Sequence, residues 1–99
     1  MSEAVEITSF RLVRGTCAEF IAANADIDVW LVRQPGFHSR RICERADGVI
    51  IDMLIWASVA DGEAAASGIM TELADSPVHD LIDQATVSWT VSPVRHVVR

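Results

Sequence analysis

Asp52 stands inside an almost wholly apolar run, Val49 to Ala57 (VIIDMLIWA). An ionised carboxylate in such a place costs several kcal/mol unless it is paired, so Asp52 either has a partner or has a raised pKa. Just upstream, Ala46-Asp47-Gly48 reads as a hairpin loop with glycine at the position that needs positive φ. With that three-residue loop, Arg45 lies opposite Val49, Ile42 faces Asp52, Arg40 faces Leu54 and His38 faces Trp56. His38, Arg40, Asp52, Leu54 and Trp56 then share one sheet face, with Arg40 diagonal to Asp52. An acid, a candidate base, a cation and an aromatic wall meet there, a combination suited to taking a proton from a ligand and holding the resulting anion. A two-residue loop flips the register and brings Ser39, Arg41 and Cys43 to Asp52 instead. A plainer reading of the same residues is a buried Asp52–Arg pair that orients two subunits.

The other reactive residue types form weaker patterns. His79 and Asp83 make one i, i+4 pair with no third ligand nearby, so no metal site is expected. Cys17 falls in the first turn of a helix, where the dipole lowers a thiol pKa, but no histidine pattern for a cysteine nucleophile accompanies it. Packing is the expected role of Cys17 and Cys43. Trp30 and Trp89 read as core residues, the first on an apolar helix face and the second alternating with Val87 and Val91.

The elements that must position these groups follow from local patterning. Val5 to Val13 (VEITSFRLV) is rich in β-branched and aromatic residues and reads as a strand. Thr16-Cys17-Ala18-Glu19 fits a capping box, so a helix is predicted from there to about Arg33, where Pro35-Gly36 stops it. Phe20, Ala23, Ile27, Trp30 and Leu31 recur on one face of it. Phe37 to Arg45 is the second strand and Val49 to Ala57 the third, apolar on both faces and therefore buried on both. Ser58 caps a second helix with Asp61 at its N3 position, and Ser76-Pro77 restarts a short helical turn. Thr86 to Val94 is a half-buried fourth strand, frayed by Pro93. Strand, helix, strand, strand, helix, strand is the ferredoxin-like order: an α+β fold with a four-stranded antiparallel sheet and helices on one face. Ile50, Leu54 and Trp56 alternate on one face of the third strand and Ile51, Met53 and Ile55 on the other, so one set packs on the helices and the other is left uncovered. A second copy of the sheet is the expected cover, giving a closed dimeric barrel.

Ninety-nine residues, 51% apolar and 22% charged, fit one domain (1–99) and exclude a disordered tail. The net charge of −6 disfavours nucleic acid as a partner. All eight bases are arginine, which excludes a Schiff-base or P-loop lysine, and the lack of tyrosine removes that general acid. No apolar stretch reaches the roughly 20 residues a bilayer requires, and Met1-Ser2-Glu3 does not begin a secretory leader. With only two cysteines, a cytoplasmic protein is expected.

Gln34-Pro35-Gly36-Phe37 entering the second strand, Ile55-Trp56-Ala57-Ser58 ending the third, and the alanine-rich helix beyond (Asp61, Glu63, Ala64, Ala65, Ala66) resemble the antibiotic biosynthesis monooxygenase-like family of the dimeric α/β-barrel superfamily. The resemblance spans nearly the whole chain. It implies a homodimer with one pocket per subunit for a small aromatic, phenolic, polyketide-like substrate. Such a substrate is oxidised by O₂ without metal or flavin, the deprotonated substrate itself reducing the oxygen. Carried onto this chain, Trp56 and Leu54 would wall the substrate, Asp52 or His38 would accept its proton, and Arg40 would steady the anion. The family pattern pairs an Asn with a Trp four residues later on the third strand. Here Trp56 matches and Asp52 stands at the Asn place, a departure that favours the alternative of a non-catalytic small-molecule-binding barrel. The haem-degrading branch of the superfamily fits poorly, with Ser9 in mid-strand and no Trp in the later helix.

Overall fold

The computed structural model describes residues 2–99. Its strands are β1 (Ala4–Phe10), β2 (Phe37–Glu44), β3 (Ile50–Trp56) and β4 (Ser88–Pro93), and its helices are α1 (Cys17–Ala23), α2 (Ala25–Leu31) and α3 (Val59–Glu72). The strands form one antiparallel sheet in the order β2-β3-β1-β4. The three helices lie on one face of it, giving the expected ferredoxin-like α+β fold. No helix among the described residues is long and apolar enough to cross a membrane.

Strand alternation sorts the side chains between the two faces. Ile50, Asp52, Leu54 and Trp56 of β3 are all buried beneath the helices, and so are Ala4, Glu6 and Phe10 of β1. Phe20, Ile27, Leu31 and Ala65 meet them from the helices, and Val78 meets them from the 3₁₀ turn Pro77–Leu81. The intervening residues Ile51, Met53 and Ile55 face the other way and are only half-buried, and Ile7 is exposed.

The first helical stretch departs from expectation in an instructive way. A single helix to about Arg33 was predicted, and the structure has two, meeting at Asn24. Asn24 has φ −88° and ψ 5°, and its amide nitrogen donates to the Phe20 carbonyl four residues back at 2.7 Å. This side-chain bond competes with the backbone ladder and breaks the axis. The capping box itself is present: Glu19 N donates to Thr16 Oγ1 at 3.2 Å, and Thr16 N donates to Glu19 Oε1 at 3.1 Å. Ser58 likewise accepts from Asp61 N at 3.1 Å.

The hairpin has the predicted three-residue loop. Arg45 N donates to the Val49 carbonyl at 2.8 Å, and Gly48 has φ +88°. Arg40 faces Leu54 and Ile42 faces Asp52, as predicted. The register then shifts between Phe37 and Ser39, so Phe37, not His38, lies opposite Trp56. A bulge of this kind turns one side chain away from the face its neighbours define. The fourth strand begins at Ser88 rather than Thr86, because Gln84–Thr86 forms a 3₁₀ turn capped by Asp83.

Candidate functional site

Asp52 is buried and partnered. Arg40 reaches it side-on from the neighbouring strand, Nε donating to Oδ1 at 3.0 Å and Nη2 to Oδ2 at 2.7 Å. Nη2 also donates to Asn24 Oδ1 at 2.8 Å, and Nη1 donates to Asp28 Oδ1 at 2.7 Å. Asn24 and Asp28 are four residues apart and so present their side chains on one side to the same guanidinium. Burial pulls the Arg40 pKa down, but the bonds and charge of Asp52, and then of Asp28, outweigh it and hold the pKa above the ordinary arginine value. Arg40 is therefore a fixed cation with two carboxylates against it.

A guanidinium has five N–H donors. Four are committed to these contacts, so one Nη1 hydrogen remains. Arg40 and Asp28 line a cleft of about 380 Å³ between α1, α2 and β2, whose other walls are Ile21, Val32, Phe37 and Ile42. That volume is at the small end of the usual range for ligand sites of about 300–1,000 Å³. Asp28 spends Oδ1 on Arg40, while its side chain is 54% exposed and no donor among the described residues reaches Oδ2.

The residues singled out in the sequence thus separate. Arg40 lines the cleft. Asp52 sits behind Arg40 with both oxygens engaged, and Leu54 is buried in the core. Trp56 has no exposed surface and lies behind Phe37, their rings edge-on at 5.5 Å. The expectation that His38 joins this group is corrected by the bulge. His38 is exposed, and its Nδ1 lies 2.8 Å from Glu3 Oε2, away from Asp52. Asn24 and Asp28 were not among the residues singled out from the sequence; Asn24 is buried in line with Phe20 and Ile27, and its i, i+4 spacing with Asp28 was the available signal.

A second buried carboxylate was also missed. Glu6 accepts from the Trp56 indole at 2.8 Å and from the Trp89 indole at 2.6 Å, one through each oxygen. The indole of Trp89 is thereby anchored, yet the residue is 45% exposed and is not the core residue expected. The signal was Glu6 alternating with Ala4 and Phe10 on the inward side of β1. The Cys17 thiol also reverses expectation. Burial pushes its pKa up, with the charge of Glu44 and Cys43 adding, despite its place at a helix start. No group of three or more His, Cys, Asp and Glu side chains able to hold a metal occurs among the described residues.

No family model and no curated protein sequence matches the chain. Solved structures do match it in fold. SnoaB of Streptomyces nogalater, described as a cofactor-independent oxygenase, superposes with a TM-score of 0.76 at 18% identity, covering 98% of this chain and 97% of that one. A putative antibiotic biosynthesis monooxygenase from Bordetella bronchiseptica gives 0.78 at 17% identity, covering 99% and 100%. A Streptomyces coelicolor monooxygenase in complex with nanaomycin D gives 0.74 at 17%, covering 99% and 92%.

Proposed function

We propose that this chain, which has the fold of antibiotic biosynthesis monooxygenase-like proteins, is a cofactor-independent monooxygenase for a small phenolic or anthrone-type substrate. The observation that carries the reading is the cleft at Arg40: four apolar walls around one uncommitted N–H donor and one open carboxylate oxygen. An aromatic ring fits between Ile21, Val32, Phe37 and Ile42. Its hydroxyl oxygen accepts from Arg40 Nη1, and its proton passes to Asp28 Oδ2. The resulting anion is electron-rich and reduces O₂ directly. For a ring CH₂ converted to a carbonyl, one oxygen atom enters the product and the other leaves as water. All four electrons come from the substrate, so the balance needs no further reductant.

In this reading Asp28 replaces Asp52 and His38 as proton acceptor, since Asp52 has both oxygens on Arg40 and His38 is turned towards Glu3. Asp52 fixes the guanidinium, and Trp56 backs Phe37. The working form is a homodimer in the cytoplasm, with Val5, Ile7, Ile51, Met53 and Ile55 of the uncovered sheet face packed against a second copy.

Oxygen uptake tests the activity, using purified protein with a panel of anthrones, hydroquinones and naphthols beside Asp28→Asn and Arg40→Met. Uptake above the spontaneous rate that falls in both variants supports the reading. Binding with no uptake across the panel makes the protein a carrier or sensor. The observation favouring that alternative is that Asp52, at the place where the family pattern has Asn, is wholly occupied by Arg40.

A further inference from the structure

The polar floor of the cleft offers one donor and one acceptor side by side. Arg40 has a single N–H left, and Asp28 has a single oxygen left. A neutral hydroxyl matches that pair, because it donates once and accepts at the same atom. A carboxylate does not match it. It offers no proton to Asp28, and its second oxygen meets no remaining Arg40 donor. Charge points the same way: one guanidinium faces two carboxylates, so the cluster is a net anion before any ligand arrives. Of those carboxylates, Asp52 is buried and committed, while Asp28 stands at the cleft and is the one an entering ligand meets.

We infer that Asp28 is a specificity-determining residue, selecting aromatic ligands that present a neutral hydroxyl and rejecting those that present a carboxylate at the same position. The inference rests on the reading of this cleft as the ligand site. It goes beyond that reading by naming the charge state of the ligand and the residue that enforces it.

The test compares two probes with the same ring system, 2-naphthol and 2-naphthoate, by calorimetric titration at neutral pH into wild-type protein, Asp28→Asn and Val32→Trp. Val32 is a cleft wall that is 66% exposed, so its replacement narrows the mouth without touching the core. Wild type is expected to bind 2-naphthol at least ten-fold more tightly than 2-naphthoate. Asp28→Asn narrows the ratio by about ten-fold, mainly by improving 2-naphthoate, and Val32→Trp weakens both probes. Equal binding of the two probes by wild type, weakened by Val32→Trp, overturns the selection by Asp28 and leaves the cleft as an aromatic site. Binding that Val32→Trp does not affect, or no binding of either probe, overturns the cleft reading and the inference together. The wild-type ratio stands on its own should Asp28→Asn fold poorly.

Discussion

Removing Asp52 tests the central ion pair most directly. In Asp52→Ala, Arg40 loses two of its four hydrogen bonds and its buried partner, while Asn24 and Asp28 remain. Breaking a buried pair by deleting one partner costs about 3–5 kcal/mol, most of it from the stranded charge. The side chains of Arg40 and Asp52 are only 10% and 12% exposed, so that range applies, and the two surviving contacts put the expected loss near its lower end, about 3 kcal/mol. For a chain of this length, each kcal/mol shifts Tm by about 4–8 °C, so Asp52→Ala melts at least ~12 °C below wild type. Arg40→Met strands Asp52 and loses a similar amount. The double variant carries no stranded charge in the pair and costs about as much as either single change, leaving a coupling energy of about 3 kcal/mol between the sites. Urea denaturation of all four proteins measures this, with equal m-values as the check that the unfolded state is unchanged. Additive losses, or a loss below ~1 kcal/mol for Asp52→Ala, would refute the claim that this pair is a buried and mutually dependent unit.

Trp56→Phe removes a donor from Glu6 and leaves one buried carboxylate oxygen unpaired, so stability falls by about 1–3 kcal/mol in urea. Because Trp56 lies behind Phe37, 2-naphthol affinity in the same variant stays within about two-fold, which a titration reads. Alkylation by iodoacetamide near pH 7.5 labels exposed Cys43 first, as mass spectrometry of the peptides shows. Burial raises the Cys17 pKa above that of an ordinary thiol, so its labelling rises only at higher pH. Ile51→Arg places a charge on the uncovered sheet face; if that face pairs with a second copy as proposed, light scattering after size exclusion finds the wild type at twice the mass of the variant.

The fold was legible because each local rule agreed with the next. Strand composition, two capping signals and the Asp47-Gly48 turn pointed to the same element order, and the register from Arg40 to Ile42 followed from the loop length. The site was legible only in part. Arg40 and Asp52 could be paired from register alone. The break at Asn24 depends on a side-chain bond to Phe20 that no periodicity announces, and the approach of Asn24 and Asp28 to Arg40 depends on how the helices dock on β2. His38 was misplaced because a one-residue shift between Phe37 and Ser39 leaves no mark in the pattern of residue types. Glu6 and Trp89 lie 83 residues apart, and only the tertiary fold joins them.

That junction also sets how the protein reports on itself. One carboxylate holds two of the three indoles, and it links β1 to both β3 and β4. An outer strand such as β4, paired on one side only, would ordinarily open by itself. Here its opening strips a donor from a carboxylate already out of water, and the neighbouring indole feels the change at once. Emission from half-exposed Trp89 and from sealed Trp56 should therefore shift in a single step, making the outermost tryptophan an optical gauge of the innermost one.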